Sequence, residues 1–371
     1  MKSKTKKGLL ITVAIITVFF FYGRHNFEID KQELIRIKIL ALNADSKTIF
    51  NELKLEKNFT NPLIYFAYMR WENGMYSRFV NKDEVYENTS KNKLVYDLSN
   101  IYRNYYADEF LKENLKDRNS DKLYEKLSDY LYSNKLTKLA KDSLEAAGSI
   151  ENEIARLLKK DSFEYRFLNR NGIQELLIWN DTSKENYEVV LPNDTINTNV
   201  VFINSFHLED FDSFVTYGSA SVGGWAIEEH ATLYCNRTGY PSLSTEAFIF
   251  SYLKHETLHF KDLNDYPNLS LADLEYRSKL IELMYLTEKS MYSKLLEFID
   301  GASNEDRDYT HAYANHVLLQ NLSKIIFNSE FEDDAEKWKT IKVETINKAA
   351  EQLFNSSNAK LAENKESREV I

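Results

Sequence analysis

The chain has 371 residues, enough for two modest domains or one elaborate one, and for a substantial core. A net charge of −10 with no basic stripe excludes nonspecific nucleic-acid binding, and ten Gly and four Pro exclude long flexible linkers and collagen-like segments. Cys235 is the only cysteine, so an intramolecular disulfide and a Cys-rich zinc knuckle are both excluded, and a metal would have to be held by His and carboxylates.

The N-terminus reads MKSKTKK, then GLLITVAIITVFFFYG without a charge. A basic head before an apolar run is the form of a signal anchor or signal peptide. As a helix, residues 8–23 would span about 24 Å, short of a ~30 Å hydrocarbon core by an amount that the flanking lysines and Tyr22 make up. The run ends FFFYGRHN, with neither a small-residue cleavage site nor a Cys for lipid attachment. Residues 1–24 are therefore expected to be an uncleaved single-pass anchor, or a signal peptide if cleaved. The lysines should stay cytoplasmic, which makes the rest extracytoplasmic.

Residues 25–160 are expected to be helical. Stretches such as KLVYDLSNIYRNYYADEFLKENL carry apolar residues three and four apart, with no fixed repeat period. Near Asp161 the pattern changes. FEYRFLNRNGIQELLIWN predicts two strands about an Asn-Gly turn; YEVVLPN, NTNVVFINSF and FDSFVTYGSASVGGWAIEEHATLYCN extend this to a small sheet of four or five strands. Helical periodicity returns after Pro241 and lasts to about residue 355. Residues 356–371 form a polar tail, expected to fray or be disordered. Helices, then strands, then helices give an α+β chain, with a catalytic-type domain over 161–355.

SYLKHETLHFKD, residues 251–262, lies on the first helix of that last block. Ser244 is the expected N-cap, with Glu246 in the first turn. His255 and His259, four apart, project from one face and can share a metal. Glu256, about 100° round from His255, is placed to take a proton from an attacking water. Ser270 and Asp273 resemble a capping box that starts a second helix, and the short Pro267 connection makes the two an antiparallel hairpin. At 1.5 Å per residue, Glu275 lies as deep from the turn as His259, which makes it the expected third ligand; Glu282, one face-repeat on, is the reserve. Asp262 follows on the histidine face, either accepting from a ligand imidazole or solvating the helix end. Gly223-Gly224 open a strand that either marks a bulge or offers an edge to a peptide substrate; His230 on it is expected to be exposed and not a ligand. In DRDYTHAYANH, His311 is the candidate donor to a tetrahedral oxyanion, ahead of Tyr309, Tyr313 and His316.

KHETLH followed by a helix with DLEYRSKLIEL resembles the zincin metallopeptidases and, more loosely, the gluzincins. The likeness covers about residues 161–320. It implies zinc held by His255, His259 and Glu275, with Glu256 as base and a preceding sheet whose edge strand meets the substrate. The sixteen-residue step from His259 to Glu275 is shorter than in typical gluzincins. The expectation is a membrane-anchored, extracytoplasmic zinc metallopeptidase acting on a peptide or protein. The alternative is an inactive or interaction protein with a structural zinc site, which a closed four-ligand shell would distinguish.

Overall fold

The computed structural model describes residues 30–371 except 31, 32, 43, 56, 58, 87–89, 113–116, 145, 171 and 228–231. The expected anchor over residues 8–23, and His230, lie outside the described residues. Among those described, no helix is long and apolar enough to cross a membrane.

The chain is α+β and divides into two compact units, Met1–Asn180 with Phe206–Val222, and Asp181–Ser205 with Gly223–Ile371. The first contains α1 (Ser46–Leu53), α2 (Pro62–Met75), α3 (Lys93–Phe110), α4 (Asp121–Ser133) and α5 (Ala147–Lys160). It also contains β1 (Glu164–Arg170), the start of β2 (Ile173–Leu191) and the six-residue α6 (Phe211–Thr216). β1 and β2 form the expected hairpin, with Arg170 opposite Ile173 and Gly172 at φ +78° in the turn. The boundary expected at residue 161 is not where the units part. Ile173, Leu176 and Ile178 join one core with Leu98, Tyr102 and Tyr106 of α3, and the backbone N–H groups of Gln174 and Leu176 donate to the hydroxyls of Tyr105 and Tyr106. FDSFVT, expected within the strand region, is helical because Asp210 caps it, accepting from Ser213 N at 2.8 Å.

β2 and β3 (Asp194–Leu208) are long strands whose residues are shared between the units. With β4 (Gly224–Ile227) and β5 (Thr232–Asn236) they complete a five-stranded sheet of order β1-β2-β3-β5-β4, within the expected four or five. β5 runs parallel to β3, and β4 antiparallel to β5, leaving β4 at an edge.

The second unit is built on α7 (His255–Asp265), α8 (Leu271–Tyr285), α9 (Met291–Asp300), α10 (Thr310–Phe327), α11 (Ala335–Trp338) and α12 (Val343–Glu363). α8 is its axis: α7, α10 and α12 pack around it, and its residues from Ala272 to Leu283 are buried on every face except at Glu275. A helix enclosed in this way has no polar stripe, so its charged side chains must find partners inside the protein. Arg277 finds Asp262 through two bonds of 2.6 and 2.9 Å, donates to Ser357 Oγ at 2.5 Å and lies over the Phe354 ring, tying α7, α8 and α12 together. Both sequence-based roles for Asp262 are thereby corrected, since it is a buried partner of Arg277.

The tail is also corrected. α12 runs to Glu363, Leu361 and Val370 are buried, and the backbone N–H groups of Val370 and Ile371 both donate to the fully buried carboxylate of Asp273. An enclosed carboxylate needs donors, and these residues supply two, with Arg307 a third at 2.6 Å.

Removing one partner of the Asp262–Arg277 pair leaves a charge stranded in the core. Asp262→Ala should cost about 3–5 kcal/mol in denaturant unfolding, and adding Arg277→Met should restore much of it. A single variant within about 0.5 kcal/mol of wild type would show the pair to be dispensable.

Candidate metal centre

The helix that carries the histidines opens one residue later than expected. Thr245, not Ser244, is the N-cap, its Oγ1 accepting from Phe248 N at 3.3 Å; Glu246 takes the expected first-turn place. After that turn, Ile249–Lys254 is π-helical and leads directly into α7 at His255. Such wide turns shift every side chain beyond them round the helix axis and are common beside functional sites.

On α7 the His255 and His259 rings stand 4.8 Å apart at 83°. His255 Nε2 lies 3.5 Å from Glu275 Oε2, and His259 Nε2 lies 3.5 Å from Glu275 Oε1. These separations exceed the 2.7–3.2 Å of a good N–H···O bond. They are close to the ~3.3 Å edge of a tetrahedron with zinc–ligand bonds of about 2.0–2.1 Å. One ligand atom from each of His255, His259 and Glu275 lies within 4.8 Å of the other two, which makes this the group of three able to hold a metal among the described residues. Glu275 Oε2 is buried with no hydrogen bond of acceptable geometry. Two imidazole nitrogens, a carboxylate and one underused carboxylate oxygen fit a zinc ion.

The other ring nitrogens are occupied. His255 Nδ1 meets Glu282 Oε1 at 2.8 Å, and His259 Nδ1 meets Ser278 Oγ at 3.4 Å; that hydroxyl also donates to the His255 carbonyl at 3.1 Å. Both Nε2 atoms are thus turned toward Glu275. Glu282, the reserve ligand, lies on the far side of the His255 ring and orients it. Glu275, Ser278 and Glu282 are i, i+3 and i+7, so one face of α8 supplies the candidate ligand and the group that orients each histidine. Ser278 was not singled out from the sequence; its place on the Glu275–Glu282 face was the available signal. Lys294, behind Glu282 at 3.5 Å, had none.

Burial alone would strip the proton from His255, but Glu275 and Glu282 outweigh it and raise its pKa to about 10. Burial likewise works against the two carboxylates. His255, His259 and His311 nevertheless hold Glu275 well below the usual range, and His255 with Lys294 brings Glu282 down to about 2.

Glu256 is half-buried next to His255. Burial pushes up the phenols of Tyr240 and Tyr252 and the thiol of Cys235, and the charge of Glu256 adds to each. β4 packs alongside α7. A Cβ on Gly224 would meet the Tyr234 carbonyl at 2.4 Å, so the first residue of this edge strand must be glycine. His311 is brought to the centre, its Nδ1 2.9 Å from Glu275 Oε2, with 71% of its side chain exposed. Tyr309 is exposed, Tyr313 stacks under Arg307, and His316 stacks on Phe331, so these three are accounted for without the centre.

A metal at His255 Nε2 must displace the proton that a pKa of about 10 keeps there at neutral pH. Zinc uptake at pH 7 should therefore release a proton from this residue. Affinity should rise by up to about tenfold per pH unit until pH 10. Titration calorimetry in buffers of different ionisation enthalpy measures this, and uptake without proton release would show that His255 is already neutral in the metal-free protein. Glu282→Gln should weaken zinc by about 10–100-fold, with Glu275→Ala weakening it further; the reverse order would exchange their roles.

No family model matches this chain, and comparison with curated proteins and with solved structures finds no match either.

Proposed function

We propose that the chain is a membrane-anchored, extracytoplasmic zinc metallopeptidase. The observation that carries this reading is the convergence of His255 Nε2, His259 Nε2 and the Glu275 carboxylate at zinc-ligand spacing, next to a half-buried glutamate. Three protein donors leave an open position, the arrangement of catalytic sites. Zinc held there would act as a Lewis acid toward the scissile carbonyl and the attacking water.

The chain's own residues divide the remaining work. Glu256 takes the proton from the attacking water and returns it to the leaving amine. β4, which packs alongside α7, offers the backbone groups of a sheet edge to which an extended peptide can add as a strand. His311, largely in solvent, turns from Glu275 to donate to the developing oxyanion. Glu282 and Ser278 hold the two imidazoles. The anchoring part of the reading rests on the lysine-headed apolar run of residues 1–23.

The position of His311 also favours a second reading. A histidine already 2.9 Å from Glu275 is where a fourth protein ligand would come from, and four ligands would make a structural centre.

Glu256→Gln should keep its zinc and lose about 10²–10⁴ in peptide hydrolysis; an active variant would remove Glu256 from its role. His311→Ala should lower kcat by about 10²–10³ with zinc retained. Loss of zinc in that variant would point to the structural centre.

A further inference from the structure

The chain between the apolar run and the first unit is short and its far end is fixed. Asp30 is buried, and its Oδ2 accepts from Asn61 N at 2.6 Å, Thr60 N at 2.8 Å and Thr60 Oγ1 at 3.2 Å. These are the residues that open α2. Asn61 is its N-cap, accepting from Leu63 N and Ile64 N, and Pro62 is its first residue. Asp30 is thereby held against the N-terminus of α2. From Gly23 to Asp30 are seven peptide steps, a reach of at most about 25 Å.

The first turns of α2 are apolar on both sides. Ile64, Tyr68 and Met75 enter the core of the unit. On the outer side Leu63 is 78% exposed and Phe66 70%. With the exposed Ala67 and Arg70 they stand at i, i+3, i+4 and i+7, one stripe along the helix. A leucine and a phenylalanine held side by side in solvent, ending in an arginine, form the apolar face and cationic flank of a helix that lies in a membrane interface.

We propose that the Leu63–Phe66–Ala67 face of α2 rests in the interfacial layer of the membrane that residues 8–23 span, with Arg70 at the level of the lipid phosphates. This rests on the anchoring reading. The tether selects this occupant: a 25 Å reach keeps the face within one bilayer thickness of the lipid, so a weak intrinsic affinity suffices. Docking would fix the first unit against the surface, where an untethered face of two large side chains would bind only transiently.

The test uses the full chain reconstituted in phosphatidylcholine vesicles, with Leu63→Cys or Phe66→Cys carrying a bimane label. Cys235 is fully buried and should not take the label. The same lipid brominated at acyl carbons 6 and 7 is the quencher. Docking predicts that bimane emission at both positions falls by at least half in brominated vesicles. Labels that stay unquenched in protein that remains with the vesicles through a carbonate wash would overturn docking while anchoring stands. Protein released by the wash would overturn anchoring, and docking with it.

Discussion

The second unit depends on α8 being enclosed on nearly every side. An enclosed helix cannot hydrate its charges, yet α8 carries Asp273, Glu275, Arg277, Lys279 and Glu282 within ten residues. Each therefore has a partner from another element or lies against one of its own neighbours. Asp273 and Arg277, one turn apart, take the structural partners: Arg307 and the backbone at Val370 and Ile371 for one, Asp262 and Ser357 for the other. Glu275, Ser278 and Glu282 face α7 and take the histidines. The same constraint that holds the unit together thus aims the candidate centre. Ligands on rigid, enclosed helices are held more closely than ligands on loops.

Electrostatics sharpen the reading. Two carboxylates, Glu275 and Glu282, lie against the imidazoles, and among the described residues the fixed cations beside them are Lys279, 4.0 Å from Glu275, and Lys294, 3.5 Å from Glu282. In the absence of a metal, the proton on His255 supplies positive charge between Glu275 and Glu282. A cation bound at the Nε2 side would replace that proton while leaving the Nδ1–Glu282 bond intact, so the orienting interaction serves both states.

What the sequence revealed was local. The four-residue spacing of the histidines, the Ser270–Asp273 cap and the Asn-Gly hairpin are set by helix and turn geometry within a few residues, and depth from one short turn was enough to place Glu275 opposite His259. What it concealed was long-range. Asp262 reads as a helix-end residue until Arg277 is brought against it, and the polar tail reads as loose until Asp273 draws two of its N–H groups inward. Membership of a unit was equally hidden. β2 and β3 read as strands of one domain because periodicity does not record which core a strand enters, and Tyr105 and Tyr106 capture the start of β2 across some seventy residues.

The central claim is an open zinc site with two histidines and one glutamate. Zinc K-edge X-ray absorption on the chain, purified without chelator or metal-affinity resin, tests it most directly. The account predicts one zinc per chain, two imidazole nitrogens and the remaining donors oxygen, at about 2.0–2.2 Å with no sulfur. A third imidazole in the shell, or no zinc even after it is added back, would contradict it.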